Sequence, residues 1–388
     1  MLILKTIFFF GLFILFYSYF GYAILIWLIK KITPRRKKIN DSDFEPEVTL
    51  VIAAYNEELF IRKKIENTLR IDYSPEKIKF VFITDGSTDN TEKIIKEYPA
   101  IKGMHENTRK GKVAAIERAM YEVKSPIVIF SDANTFINKD AVKNIVRHYI
   151  DPRVGGVAGE KKILIEMNED IAGTGEGIYW KYESVLKKLD SNFYSVVGAA
   201  GELFSIRTAL YEHPGDDILL DDFIISLKIC MQGFRIVYEP DAYAIENPSG
   251  SIKEEKKRKI RISAGAFQSI VKLKGLLNIF KFKKLSFLFI SHRVLRWTLC
   301  PLFIPLVLIT NCWLFFSTDD PFYLYFLHLQ LVFYSLALAG WIFSNNKIHF
   351  KPAYICFYFM FINIVLYIGF FRFLKKQQSV LWEKAERK

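Results

Sequence analysis

Phe80-Val81-Phe82-Ile83-Thr84-Asp85-Gly86-Ser87-Thr88-Asp89 joins an unbroken β-prone apolar run to an acidic residue and a string of turn formers. Val48–Ile52 leads in the same way into Tyr55-Asn56-Glu57, and Ile127–Phe130 into Asp132-Ala133-Asn134. Continuous Val, Ile and Phe runs suit strands covered on both faces, as in a parallel sheet between helices. Ligands of such sheets sit beyond the carboxyl ends of the strands. Three polar clusters at three strand ends are therefore expected to meet in one crevice.

The intervening segments read as helices. Glu57–Leu69, Thr91–Tyr98, Lys112–Val123 and Asp140–His148 carry helical patterns, with Thr88-Asp89-Asn90 as a side-chain cap for the second. Val154–Gly159 reads as a Gly-rich strand. This alternation predicts one α/β domain over residues 45–250, with a doubly wound, mostly parallel sheet.

The 388 residues are 51% hydrophobic and 16% aromatic, high for a soluble enzyme, and the excess lies at the two ends. Thr6–Ile29 is uncharged and long enough to cross a hydrocarbon core, which places a membrane anchor within residues 1–32. Lys30, Lys31, Arg35, Arg36, Lys37 and Lys38 follow it. By the positive-inside rule this block faces the cytoplasm, putting the catalytic region there and the protein in the plasma membrane. Residues 251–290 form a basic amphipathic segment, and Ala264–Ile290 suits a helix lying in the membrane interface.

Trp297–Phe316, Phe322–Phe343 and Pro352–Phe371 are three further stretches of spanning length within 291–372, before a basic tail at 373–388. One span before the catalytic region and three after it would put that tail outside. Its Arg372, Lys375, Lys376, Lys384, Arg387 and Lys388 argue for inside. Either one late segment is interfacial or re-entrant, or the rule fails here. The net charge of +13 collects at these membrane boundaries, which points to membrane lipids rather than nucleic acid. The four cysteines have no metal-like spacing.

Several clusters carry oxygen chemistry. Asp85 beside the Gly86-Ser87-Thr88 turn suits ribose hydroxyls and base N–H groups, and is by itself equally an ordinary turn and helix cap. Asp132 and Asn134 offer two oxygens in one strand-end turn, the donor type that Mg²⁺ or Mn²⁺ takes together with substrate phosphates. Asp216, Asp217, Asp221 and Asp222 crowd four carboxylates into seven residues. Crowding raises a carboxylate's pKa toward that of a useful base. A solvated loop capping the helix Phe223–Gln232 accounts for the same residues equally well.

Taken in order, Tyr55-Asn56-Glu57-Glu58, Asp85-Gly86-Ser87-Thr88-Asp89, Arg109-Lys110-Gly111-Lys112, Asp132-Ala133-Asn134 and Asp221-Asp222 resemble the motifs of family 2 glycosyltransferases. The resemblance covers about Glu47 to Ile262. With the flanking spans it looks like the membrane-embedded synthase branch that includes cellulose, hyaluronan and poly-N-acetylglucosamine synthases. It implies a GT-A fold, a nucleotide-sugar donor (a UDP-sugar expected), a divalent cation and inverting transfer. It also assigns roles. Tyr55, Glu57, Asp85 and Lys112 match donor-binding positions; Asp132 and Asn134 match the metal and sugar-nucleotide motif DxD, with Asn in place of its second acid. Asp222 matches the general base, beside Asp221. Arg258 and Arg261 stand where the branch has Gln-x-x-Arg-Trp, with the Gln and Trp replaced; Arg261 suits the leaving diphosphate. Tyr179, Trp180, Gly201 and Glu202 lie where the family builds its acceptor side.

Three functions follow as expectations: extension of a glycan or polysaccharide at the membrane, a single transfer to a lipid acceptor such as a polyprenyl phosphate or diacylglycerol, or a membrane scaffold without catalysis. Four spans are few for a self-contained polymer channel, so secretion would need an export partner or a homo-oligomer. His292 has no acidic neighbour in sequence and is not expected to act as a base.

Overall fold

A computed structural model describes residues 1–32, 44–164, 171–248, 251–346, 348 and 350–381, with backbone alone at 171–176. Arg35, Arg36, Lys37 and Lys38 of the first basic block, and Lys384, Arg387 and Lys388 of the tail, lie outside the described residues.

The strands are β1 (Val48–Ala54), β2 (Ile78–Asp85), β3 (Lys102–Glu106), β4 (Ile127–Asp132), β5 (Thr135–Ile137), β6 (Val154–Ile163), β7 (Phe204–Arg207) and β8 (Arg235–Glu246). They form one sheet in the order β3-β2-β1-β4-β7-β6-β8-β5. β3, β2, β1 and β4 run parallel, as do β6 and β8. β7 is antiparallel to both of its neighbours, and β5 to β8. The sheet is thus mostly parallel, as the apolar runs predict. The antiparallel β7 is too short to declare itself by periodicity.

Alternate residues of a strand face opposite sides. Leu50, Ile52, Phe82 and Ile129 pack on Ile61, Ile65 and Ile145 of α2 (Glu58–Leu69) and α5 (Ala141–Val146). Val51, Val81, Val128 and Phe130 pack on the other face, against α4 (Lys112–Met120), α6 (Ile171–Phe193) and α7 (Asp221–Met231). α3 (Thr91–Lys96) lies between β2 and β3 in sequence. Full burial of one such side chain is worth about 1.5–3 kcal/mol, and it is available on both faces. That explains why these strands show no polar alternation. The register pairs Ala54 with Thr84 and Ala53 with Asp132, so Tyr55, Asp85 and Asp132 leave the sheet along one edge.

Four helices are long and apolar enough to cross a membrane: α1 (Leu2–Ile32), α9 (Leu299–Ser317), α10 (Pro321–Asn345) and α11 (Lys351–Leu374). α1 and α9 run antiparallel, with Ile14 against Cys300 at one level and Phe8 against Val307 and Leu314 at another. α10 returns from Tyr323, beside Phe8, to Tyr334, whose hydroxyl donates to the Ile304 carbonyl at 3.3 Å. α11 meets α1 at Tyr19, whose hydroxyl donates to Asn363 Oδ1 at 3.1 Å, and α9 at Pro301, where Tyr367 donates to the carbonyl. Along its length it follows α8 (Ile252–Lys272). Tyr358 donates to Glu255, Gly369 sits against Ser263, and Phe370 lies 5.0 Å from Phe267. α11 also packs antiparallel along α10, with Gly340 against Ala353 and Phe333 5.8 Å from Phe359. The described tail continues to Val380, whose carbonyl is 3.3 Å from where a Cβ on Gly111 would stand. The described part of the tail thus lies beside the Arg109–Lys112 loop of the sheet domain.

Ala264–Ile290 is not one interfacial helix. α8 stops at Lys272, Asn278 caps a short turn through the N–H groups of Phe280 and Lys281, and Lys283 has φ +45°. Leu276, Leu285, Leu288 and Phe289 belong to the core beneath the sheet, with Ile229 and Cys230. Burial accounts for these residues, while Val271, Leu277, Ile279 and Phe280 of the same stretch stay exposed.

Candidate active site

The β2 edge and the Arg109–Lys112 loop form one side of the crevice. Asp85 is fully buried, and its Oδ2 accepts the backbone N–H groups of Lys110 (3.0 Å) and Gly111 (2.6 Å). Its Oδ1 accepts from Arg118 at 2.9 Å. A carboxylate so held fixes the loop. The same loop places the Arg109 guanidinium 3.7 Å from the Tyr55 ring centre, a cation–π contact at the crevice mouth. Gly86 and Gly111 have φ +65° and +99°, and Arg109 backbone packs on Gly86 where a Cβ would stand. Asn56 has φ +53°; its side chain accepts the Thr88 N–H at 2.8 Å, and the Glu57 N–H donates to Thr91 Oγ1 at 2.8 Å. The β1 and β2 ends are thereby laced together.

The opposite side is acidic. A Cβ placed on Gly201 would lie 3.1 Å from Lys112 Nζ, 3.5 Å from Asp222 Oδ2 and 3.8 Å from Asp132 Oδ1. Three side chains from α4, β4 and α7 thus face one point, and a Cβ there would require Lys112 to give by a few tenths of an ångström. Lys112 Nζ donates to Asp132 Oδ1 at 2.7 Å. Burial pulls the Lys112 ammonium down, and Asp132, Asp221 and Asp222 outweigh it, holding the group charged well above its ordinary range. The Asp222 carboxyl is pushed up to about 7 by burial and by Asp221, against Lys112. Asp221 is buried with its Oδ2 lacking a hydrogen-bond partner among the described residues. Arg261 of α8 belongs here: burial pulls its guanidinium below its ordinary value, against Asp221 and Asp222.

Among the described residues no three His, Cys, Asp or Glu side chains gather into a metal cage. The residues fit the other common arrangement, in which one or two carboxylates hold Mg²⁺ or Mn²⁺ and substrate phosphates complete the shell. Asp132 ends β4, and half-buried Asn134 stands in the short turn to β5. Lys64 braces this turn from behind. It is fully buried and donates to Ser131 Oγ and the Thr135 carbonyl, both at 2.8 Å, and burial pulls its ammonium down to about 7.

The acceptor candidates lie beyond Gly201. Glu202 pairs at 2.5 Å with Lys161, which also pairs with Glu246 and lies 4.8 Å from the Trp180 ring. Lys259 lies 4.6 Å from the Tyr179 ring. Arg258 is set apart from the acidic point: it faces Glu255 at 2.8 Å and Glu246 at 3.9 Å. Ion pairs of its own helix and of β8 hold it there.

His292 is not isolated. It lies 2.6 Å from Asp190 and 3.4 Å from Glu183, which also takes Arg293 (2.9 Å) and Arg296 (2.7 Å). Tyr22 of α1 donates to Asp190 at 2.5 Å. Carboxylates about a hundred positions away supply what local sequence lacked. The network fastens the first membrane helix to the sheet domain. Arg118, Lys64 and Lys161 were not singled out from sequence either. Each is one basic residue among many, and only the fold aims it at a functional turn.

Comparison with known proteins follows this geometry. Residues 49–213 match the model for Glycosyl transferase family 2. A poly-beta-1,6-N-acetyl-D-glucosamine synthase of Staphylococcus aureus is 28% identical over 234 residues, covering 58% of this chain and 54% of the synthase. The chain thus spans about half the length of that relative. A dolichyl N-acetyl-alpha-D-glucosaminyl phosphate 3-beta-D-2,3-diacetamido-2,3-dideoxy-beta-D-glucuronosyltransferase of Methanococcus voltae is 25% identical over 315 residues, 76% of this chain and 95% of that protein. A mannosyltransferase of Pyrobaculum calidifontis, solved with GDP-Man and Mn²⁺, superposes with a TM-score of 0.73 at 21% identity. The match covers 97% of this chain and all of that one. The fold is that of the GT-A glycosyltransferases, flanked by membrane-length helices.

Proposed function

We propose, from the premise that this chain carries a glycosyl transferase family 2 domain, that it transfers a sugar from a nucleotide-sugar, with inversion, to a glycan or lipid-linked acceptor at the cytoplasmic face of the plasma membrane. The reading rests on one observation above all: Lys112, Asp132 and Asp222 face a single point at Gly201. The nucleoside lies against Tyr55 and Glu57, with Asp85 holding the Arg109–Lys112 loop behind it, and its diphosphate near Lys112, Asp132 and Arg261. Asp132, with Asn134, holds the divalent cation. When bound, that ion neutralises charge growing on the departing diphosphate.

Asp222 takes the proton of the acceptor hydroxyl. Its raised pKa matches that task near neutrality. Arg261 and Lys112 stabilise the leaving group electrostatically from a largely buried position. Tyr179, Trp180, Gly201 and Glu202 form the acceptor side, while Arg258 braces α8. A panel of UDP- and GDP-sugars supplied to membranes containing the protein tests the reading. Labelled product is expected from one donor and is expected to vanish in Asp222→Asn. No transfer or hydrolysis from any donor would leave the scaffold alternative standing.

A polymer ladder marks chain extension, and a single addition marks transfer to a lipid. An apolar cavity beside the site favours the second outcome.

A further inference from the structure

A cavity of about 230 Å³ lies where α1, α6, α8 and α11 meet. Its walls are aromatic and aliphatic, with Tyr19, Tyr179, Trp297 and Tyr358 prominent. Two lining residues are cations, Lys259 and Arg296, and no lining residue is acidic. Their carboxylate partners stand behind the wall: Glu183 takes Arg296 at 2.7 Å, and Glu255 lies 3.7 Å from Lys259. A mostly apolar pocket whose lining carries two cations and no carboxylate suits an anion carried on an apolar body.

The rim shows where that body comes from. Ile178 and Ile355 line the cavity, yet are 41% and 50% exposed. The mouth is therefore apolar, at the end of the bundle formed by membrane-length helices. The volume falls below the roughly 300–1,000 Å³ of a pocket that swallows a drug-sized ligand. It holds a head group and the first carbons of one chain; the remainder must lie outside, in the bilayer.

The cavity also adjoins the reaction centre. Trp297 lines it on one side, and on the other its ring lies 5.4 Å from Phe223, the residue after Asp222. Lys259, Ile262 and Ser263 of α8 line it, while Arg261 on the same helix points into the acidic cluster. The two compartments thus share one helix and one ring contact.

We infer that this cavity is the acceptor's lipid site, and that it takes a phosphate-bearing single-chain lipid. The phosphate sits against Lys259 and Arg296, and the chain leaves past Ile178 and Ile355. The inference rests on the glycosyltransferase reading for its purpose but not for its chemistry.

The test uses the full-length protein in phosphatidylcholine nanodiscs, with farnesyl phosphate as probe. Farnesol, inorganic phosphate, diacylglycerol and phosphatidylglycerol are the comparison ligands. Farnesyl phosphate is expected to bind at least tenfold more tightly than each of these. Lys259→Met and the rim variant Ile355→Glu are each expected to weaken it at least tenfold, with nucleotide binding unchanged. Equal binding of farnesol or diacylglycerol would overturn the phosphate requirement. Equal binding of inorganic phosphate would overturn the lipid, and equal competition by phosphatidylglycerol would reduce the cavity to a bilayer-lipid site. Wild-type affinity in both variants would overturn the location. Donor hydrolysis and nucleotide binding, measured in the same nanodiscs, report separately on the glycosyltransferase reading: their absence sinks that reading and leaves the lipid result standing.

Discussion

Lys112 Nζ and Asp132 Oδ1 lie 2.7 Å apart, so the carboxylate assigned to the cation is held by an ammonium. A cation arriving alone must compete with that ammonium. One arriving with a diphosphate does not, because the phosphates give Lys112 a new partner. Lys112→Met is therefore expected to tighten Mn²⁺ binding without nucleotide and to weaken nucleoside-diphosphate binding, both read by calorimetry. Asp132→Ala is expected to abolish metal-dependent nucleotide binding altogether.

Asp222→Asn is expected to lower transfer by about 10²–10⁴-fold, the usual cost of losing a general base. Nucleotide affinity should stay near wild type. Near-normal transfer by this variant would remove Asp222 from the mechanism.

The pH profile follows from the Asp222 carboxyl, pushed up to about 7 by burial first and Asp221 second. A base works in its ionised form, so transfer should rise as pH passes through about 7 and then level off. Asp221→Asn removes a like charge, which lowers the Asp222 pKa and moves the rise to lower pH. A rate-against-pH series on the two proteins reads the direction of that shift.

Gly198 has φ +86°, and a Cβ there would enter the Phe223 ring. Left-handed backbone costs a non-glycine residue about 1–2 kcal/mol before any clash is counted. Gly198→Ala should lower the melting temperature and, because Phe223 follows Asp222, reduce turnover as well. Gly233 offers a control, since it shares a positive φ and a Cβ there meets nothing within 4 Å. Gly233→Ala should show the backbone cost alone.

Val380 beside Gly111 places the end of the described chain at the Arg109–Lys112 loop. Single cysteines at Ser379 and Lys110, introduced after replacing the four native cysteines, should react with a membrane-impermeant maleimide from the same side. Labelling from opposite sides would show α11 to be a fourth crossing.

Much of the sheet was legible because double-sided burial leaves a strong local mark. Phe80–Ile83 and Ile127–Phe130 contain no polar residue, and each ends at an aspartate on the crevice edge. β7 was not legible: Phe204–Arg207 is four residues long, and its antiparallel pairing is a property of its neighbours. The crowding of Asp221 and Asp222 was visible, but not the burial that raises the Asp222 carboxyl.

Local composition determined which segments are strands, which helices can enter a bilayer, and which strand ends carry oxygen ligands. Those properties depend on neighbours within a few residues. Tertiary packing alone decided that α11 lies along α8, that His292 meets Asp190 and that Lys64 stands behind Asp132. It also decided that Gly201 is the point on which three charges converge. Each of these joins residues tens to hundreds of positions apart, and charge–charge and packing energies fall off with distance in space, of which the one-dimensional order keeps no record.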